Sequence, residues 1–335
     1  MNGLKTQEIG SLKKPDWFVR YLKNPRISRE EKERARDDLA FINIKMFEHI
    51  GLDFVYDGEA RRIEMYEYPI RRIRGFKFAG RVRSFDNKYY RKARCVSELE
   101  YRGNYHRDEF LFVKKYARKQ PKIPVTGPYT LVDWSYNEYY KSKEDFLFEM
   151  SRKIIRPLLK DLEELGAEVI QIDEPAATTH PDEVPLFVEA FNEAVRGVNS
   201  KINVHICYSG DEYKSLFPHI AEMKASLFAL EFANRDTPEL GISDEKRRGY
   251  KALKLFREYN IKKEIGLGVI DVHTDFIEPP ELIRDRILFA VKVIGDPELI
   301  YVNPDCGLRT RRREVAFKKL ENMIKGVELA RKQLL

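Results

Sequence analysis

Four residues of this chain, His205, Cys207, Glu231 and Cys306, have the donor types expected of a single zinc site. Each ends a short apolar run: Ile202-Asn203-Val204-His205-Ile206-Cys207, Leu227-Phe228-Ala229-Leu230-Glu231, and Leu299-Ile300-Tyr301-Val302-Asn303-Pro304-Asp305-Cys306. Two thiolates, one imidazole and one carboxylate suit Zn2+. On a strand, His-x-Cys places both side chains on one face. A lone His or Cys in an apolar run more often packs than ligates. Three features favour ligation here. The chain has only three cysteines, and two of them end strands. Glu231 follows Leu-Phe-Ala-Leu, where an unpaired carboxylate is costly. Cys306 lies in the turn Asn303-Pro304-Asp305-Cys306-Gly307 rather than in a core run. Such a site serves thiol activation, because only the thiolate is a good nucleophile and metal coordination deprotonates a thiol. Glu231, the hardest donor of the four, is the ligand expected to yield its place to an incoming sulfur.

Other strand ends bring further polar groups. Glu59 follows Phe54-Val55-Tyr56-Asp57-Gly58, and Asp173-Glu174 follow Val169-Ile170-Gln171-Ile172. Carboxylates facing one pocket could grip a substrate ammonium group; the alternative is structural pairing with one of the many arginines. His273, after Ile270-Asp271-Val272, could donate a proton to a leaving group. His49, His106, His180 and His219 read as ordinary helix or loop residues.

Eight strand-like runs must position these groups. They end near Ser11, Glu59, Pro128, Glu174, Tyr208, Glu231, His273 and Cys306. Apolar runs of this length, bounded by turn residues, read as buried strands of a parallel sheet. Helical patterns alternate with them. A capping box at Ser28-Arg29-Glu30-Glu31 opens a helix that stops at Gly51. Ser142 and Asp145 open one that runs to Gly166. Pro279-Pro280-Glu281 starts a third, and the last runs from about Arg311 to the C-terminus. Eight β and α units predict an α/β chain, a (β/α)8 TIM barrel, with the ligands meeting at one mouth. Residues 1–335 read as one catalytic barrel with a long insertion after strand 2, at 60–122. That segment is basic and rich in tyrosine, with Arg71-Arg72-Ile73-Arg74 and Tyr89-Tyr90-Arg91-Lys92, and a helix is expected over 107–118. It reads as an active-site lid; the competing reading is a nucleic-acid surface. No G-x-G-x-x-G or Walker sequence appears.

Of 335 residues, 43% are hydrophobic and 12% aromatic, enough for a substantial core. No stretch approaches the roughly 20 apolar residues that span a bilayer, and Met1-Asn2-Gly3-Leu4-Lys5 lacks a signal-peptide pattern. Three cysteines argue against a disulfide framework and for a reducing, cytoplasmic location. The net charge of +7 arises from 61 basic and 54 acidic residues, which suits solvated helix faces better than a nucleic-acid surface.

Together these runs resemble the catalytic (C-terminal) barrel of cobalamin-independent methionine synthase, as in the short archaeal-type enzymes. The resemblance rests on Glu8-Ile9-Gly10-Ser11, Asp57-Gly58-Glu59-Ala60-Arg61-Arg62, Thr126-Gly127-Pro128-Tyr129-Thr130 with Trp134-Ser135, and Gln171-Ile172-Asp173-Glu174-Pro175-Ala176. It continues through His205-Ile206-Cys207-Tyr208, Gly266-Leu267-Gly268-Val269-Ile270-Asp271-Val272-His273 and Val302-Asn303-Pro304-Asp305-Cys306-Gly307-Leu308-Arg309-Thr310-Arg311. It implies that His205, Cys207, Glu231 and Cys306 ligate zinc. It further implies that Ile9, Gly10 and Ser11 hold the homocysteine carboxylate, that Glu59 and Asp173 hold its amino group, and that His273 is the proton donor. Arg94, Cys95 and Trp134 match positions that contact the pterin of methyltetrahydrofolate.

There are departures from the family pattern. The long enzymes carry an additional N-terminal barrel, which is not expected here. Thr179 stands where an acidic residue is common, Asp-Gly-Glu replaces His-Gly-Glu, and the arginine after Glu231 falls at Arg235. The expected activity is methyl transfer to the thiol of L-homocysteine, giving methionine. The expected donor is a methyl-tetrahydropterin or a methyl-corrinoid, the latter either free or carried on a partner protein. The alternatives are a related zinc methyltransferase acting on another thiol of the coenzyme M type, or a non-catalytic barrel that binds zinc or RNA.

Overall fold

The computed structural model describes residues 3–83, 89–207, 210 and 212–334. Among these, the strands in chain order are β1 (Phe54–Val55), β2 (Arg74–Arg83), β3 (Tyr89–Glu100), β4 (Gln120–Pro121), β5 (Ile123–Thr126), β6 (Tyr136–Asn137), β7 (Val169–Asp173), β8 (Lys201–Ile206), β9 (Leu227–Leu230), β10 (Glu264–Gly268) and β11 (Ile300–Asn303). The chain divides into two compact units. One comprises Met1–Arg61, Leu111–Lys122 and Leu227–Leu335; the other comprises Arg62–Phe110 and Ile123–Ser226.

In the first unit every strand pairing is parallel. β9 pairs with β10 (Phe228 opposite Ile265) and β10 with β11 (Gly268 opposite Asn303). β11 is followed by the N-terminal segment, which bridges Thr6 to Val302 and Gln7 to Phe54, and β1 pairs with β4. The run expected to end near Ser11 therefore forms two single bridges rather than a ladder. Its carbonyl and amide groups are nonetheless used: Gln7 N donates to Val302 O at 3.0 Å and Phe54 N to Thr6 O at 3.1 Å. β9 and β11 are buried along their whole length, as parallel strands covered on both faces must be.

Long helices pack against these strands. Arg29–Ile50 starts at the capping box read in the sequence: Ser28 Oγ accepts from Glu31 N, and Glu31 answers to Ser28 N. It ends at Gly51, whose φ of 100° only glycine adopts cheaply. Pro280–Ile294 and Arg313–Leu334 follow the other two expectations. The last helix begins two residues late because Leu308–Thr310 takes a tight 3-10 turn first.

In the second unit β5, β7 and β8 are parallel, with Thr126 opposite Asp173 and Asp173 opposite His205. The helix expected from Ser142 to Gly166 is present, opened by Ser142 Oγ accepting from Asp145 N. It contains an unexpected π-helical stretch, Met150–Ile155, just before Pro157. Proline lacks the amide for an α-helical bond and its ring crowds the preceding turn, so a wider turn here relieves the clash.

The insertion is a β2–β3 antiparallel ribbon joined by β6, then a helix at Arg107–Tyr116, close to the expected 107–118. Four of its arginines have partners inside the unit. Arg91 and Arg71 lie over the Phe78 ring at 4.2 and 5.2 Å, Arg72 over Tyr68 at 3.7 Å, and Arg74 pairs with Glu100 at 2.7 Å. Among the described residues no helix is long and apolar enough to cross a membrane.

Candidate active site

The candidate residues of the second unit lie on adjacent strand ends. His205 is buried near the end of β8, and Cys207, two residues on, is half-buried. Tyr208 lies outside the described residues. The strand end is pinned by Tyr213, whose hydroxyl donates to Ile206 O at 2.8 Å. Asp173 sits opposite His205 in the parallel register and accepts from Gln171 Nε2 at 2.6 Å. Alternation along β7 puts Gln171 and Asp173 on one face, so this bond fixes the carboxylate's direction.

Glu174 points elsewhere. Its carboxylate accepts from Tyr129 N (3.1 Å), Thr130 N (2.7 Å) and Thr130 Oγ1 (2.6 Å), capping the short helix Pro128–Asp133. Burial raises its pKa to about 7 against the pull of those donors. A side chain at Gly127 would collide with that carboxyl group, so glycine is required there by close approach. Of the Asp173-Glu174 pair, therefore, Glu174 is taken up by a structural capping role.

The donor-side candidates share this unit, but not one face. Trp134 is partly buried with its ring 6.1 Å from that of Tyr66, whose hydroxyl bonds Ser135 Oγ (2.8 Å) and accepts from Ala93 N (3.0 Å). Cys95 is buried, its thiol pushed up to about 11 by burial, and Sγ donates to Ser97 O at 3.3 Å. Arg94 is exposed and pairs with Glu138 at 3.4 Å. As neighbours on β3, Arg94 and Cys95 face opposite sides of the ribbon.

In the first unit one buried side chain organises two expected ligands. Asp305 accepts from Phe232 N (2.9 Å), Ala233 N (3.0 Å) and Asn234 N (2.7 Å). It thus ties the turn after Glu231 to the turn of Cys306, and burial pushes its own pKa up to about 7. Glu231 is buried, and Oε2 accepts from Asn234 Nδ2 at 3.1 Å. Cys306 is half-buried.

Beside Cys306, Gly307 packs backbone to backbone on Gly10: a Cβ on Gly10 would lie 3.0 Å from Gly307 Cα, and one on Gly307 would lie 2.7 Å from Ser11 N. Below them Glu8 Oε1 accepts from Leu308 N at 3.3 Å. The Tyr56 hydroxyl is hydrogen-bonded to both Glu8 Oε2 and the Gly10 carbonyl. Burial raises the pKa of Glu8 from its ordinary value, against the pull of Lys122. Lys122, fully buried, donates to Gln7 Oε1 at 3.1 Å and to the Glu8 carbonyl.

Glu59 is buried in a left-handed conformation, φ 58°, following Gly58 at φ 65°. Asp57 Oδ1 accepts from Glu59 N at 2.8 Å, and Asn43 Nδ2 donates to Asp57 O at 2.9 Å, which hold this strained turn. The turn explains the Asp-Gly-Glu sequence: Asp57 is part of the support rather than the site.

His273 occupies an exposed turn after β10. That turn is clamped by Thr310 Oγ1 on Val272 O (3.2 Å), by Arg311 on Asp275 (2.9 Å) and by the buried Lys319–Glu278 pair, with Lys319 Nζ on Asp271 O at 2.9 Å.

Among the described residues, His205 and Cys207 of the second unit and Cys306 of the first each offer one atom of a kind that ligates metal ions. Sequence reasoning missed Asp305, Glu8, Tyr56 and Lys122. The signal was present for two of them: a carboxylate and a lysine inside otherwise apolar strand-end runs need buried partners.

A family profile described as the cobalamin-independent synthase catalytic domain matches residues 18–330. The methionine synthase of Thermoplasma acidophilum is 46% identical, with all of both chains covered. That of Pyrococcus horikoshii is 43% identical over 99% of this chain and 94% of its own. Among solved structures, a B12-independent methionine synthase from a Shewanella species, in complex with selenomethionine, superposes with a TM-score of 0.85 at 26% identity, covering 99% of each chain.

Proposed function

This chain belongs to the cobalamin-independent methionine synthase family, as its catalytic domain, and from that premise we propose the residues that carry out its chemistry. It is a methyltransferase of the α/β-barrel class that moves a methyl group to the thiol of homocysteine, giving methionine. In our reading residues 1–335 are one catalytic domain, 60–122 is an insertion acting as a lid, and the protein works in the cytoplasm, where its three free thiols stay reduced.

The metal is proposed to be zinc, held by His205, Cys207, Glu231 and Cys306. The donor chemistry fits: a buried imidazole, two thiols and a buried carboxylate form a soft to borderline set that divalent zinc prefers over calcium or magnesium. When bound there, zinc supplies a lowered thiol pKa, so that a nucleophilic sulfur exists at neutral pH. The protein's own groups do the rest. Ile9, Gly10 and Ser11 take the homocysteine carboxylate, and Glu59 and Asp173 take its ammonium group, which orients the sulfur. Glu231, whose carboxylate also has Asn234 as a partner, is the side chain that swings aside for the substrate.

The donor is proposed to be a methyl-tetrahydropterin, with Trp134 stacking on the pterin and Arg94 and Cys95 lining its approach. Sulfur bonds to the methyl carbon as that carbon's bond to the pterin nitrogen breaks, and the nitrogen takes its proton from His273. The observation that carries this reading is the pair His205 and Cys207 at one buried strand end in a chain of this family. The test offers purified zinc-loaded protein homocysteine with methyltetrahydropterins of short and long glutamate tail, and separately with methylcobalamin. Methionine formed from the pterins supports the donor assignment; methionine formed only from the corrinoid overturns it, and with it the role of His273.

A further inference from the structure

The substrate-carboxylate segment and a metal-ligand turn are joined by a buried network that neither binds substrate nor ligates metal. Glu8 reaches in two directions: Oε1 accepts from Leu308 N at 3.3 Å, and Oε2 bonds the Tyr56 hydroxyl, which also bonds the Gly10 carbonyl. Above it Gly10 and Gly307 are in backbone contact too close to admit a Cβ on either without displacement. Below it Lys122 donates to Gln7 Oε1 and to the Glu8 carbonyl, fixing the chain that leads into Ile9. Glu8, Tyr56 and Lys122 are all fully buried, and Tyr56 is braced by a stacked Phe47 at 5.5 Å.

A buried carboxyl, phenol and lysine are expensive components for a mere spacer, since apolar side chains would fill the same volume at no desolvation cost. What polar atoms provide, and apolar ones cannot, is directional attachment to specific backbone groups. Those attachments are on residue 10, inside the proposed carboxylate cradle, and on residue 308, two after the proposed ligand Cys306. A displacement of either segment must therefore break a bond that holds the other.

We propose that Glu8 and Tyr56 are positioning residues that lock the segment Ile9-Gly10-Ser11 to the segment Cys306-Gly307-Leu308, so that seating the homocysteine carboxylate and placing the Cys306 ligand are one event. This rests on the roles given to those segments above. It assigns the acidic residue of the Glu8-Ile9-Gly10-Ser11 motif a function that involves no contact with substrate.

The experiment measures homocysteine affinity by calorimetry on zinc-loaded wild type, Tyr56→Phe and Glu59→Gln, with melting temperatures alongside. Tyr56→Phe keeps the ring and its stacking and removes only the two bonds. The expected result is a Kd for homocysteine about tenfold weaker in Tyr56→Phe, with a near-native melting temperature, and kcat at saturating homocysteine little changed. A wild-type Kd in Tyr56→Phe while Glu59→Gln binds weakly overturns the coupling and leaves the substrate site standing. Wild-type affinity in both variants overturns the site assignment itself. If Tyr56→Phe does not fold, hydrogen exchange on the wild-type holoenzyme decides. Homocysteine should slow exchange at Leu308 together with Gly10 and Ser11, and protection confined to residues 9–11 overturns the proposal.

Discussion

Glu59 is a carboxylate placed by strain: a non-glycine residue at φ 58°, held by the Asp57 side chain on its own amide. Strain of this kind costs on the order of 1–3 kcal/mol and persists where the surroundings fix it. We expect Glu59→Gln to keep the fold and to raise the KM for homocysteine roughly 10- to 100-fold, with a smaller change in kcat, because a charge-assisted bond to the ammonium becomes a neutral one. Steady-state kinetics against homocysteine check this, and an unchanged KM removes Glu59 from the site. At this scale the sequence points to candidate ligands more readily than to the groups that support them. His205, Cys207, Glu231 and Cys306 stood out because their types do not belong at the ends of apolar runs. Asp305 did not, although it shares a motif with Cys306, because its role is to bind three amides some 70 positions away in sequence. Such a contact exists only once the chain has folded.

At the scale of elements, local rules predicted the helices well and irregularities poorly. Ser28 with Glu31, Gly51 and Pro280 announced their boundaries by capping chemistry that operates over a few residues. The π stretch at Met150–Ile155 and the bridged, ladder-free N-terminal segment depend on neighbours the pattern does not name. Glu174 is the clearest case, for it reads as a site carboxylate and proves to be a helix cap. Its folded pKa of about 7 lies above the roughly 4.3 of an unfolded glutamate. The native state therefore binds the proton more tightly, so this group's stabilising contribution is full below the unfolded pKa and is lost as pH rises through about 7. In urea unfolding between about pH 4 and pH 8, wild type should lose stability relative to Glu174→Gln as pH rises, by up to a few kcal/mol on the order of 1.4 per pKa unit. Parallel curves for the two proteins would show that Glu174 does not titrate in this window.

For the molecule as a whole, the charge count alone left two partners open, and the pairing of charges separates them. Arg71, Arg72, Arg74 and Arg91 of the insertion lie over Phe78 and Tyr68 or pair with Glu67 and Glu100. A cation already stacked or paired has less to offer phosphate. We expect affinity for generic RNA to be weak and to disappear by about 0.2 M salt, as counterion release predicts for nonspecific contacts. Binding that survives such salt in a titration with labelled RNA would give the insertion a second role. Fold class was legible at this scale because alternation of strand and helix is written in periodicity. The proposed division of work between metal, acceptor and donor rests on the strand-end residues.

The central claim is that His205, Cys207, Glu231 and Cys306 hold one zinc ion that activates the substrate thiol. Elemental analysis of the purified protein beside Cys306→Ser tests it most directly. The account predicts about one zinc per chain in the native protein and its loss or marked weakening in the variant, as expected when one of four ligands is replaced by a poorer donor. A native protein without zinc after anaerobic reconstitution, or a Cys306→Ser variant that keeps its full complement, would contradict it.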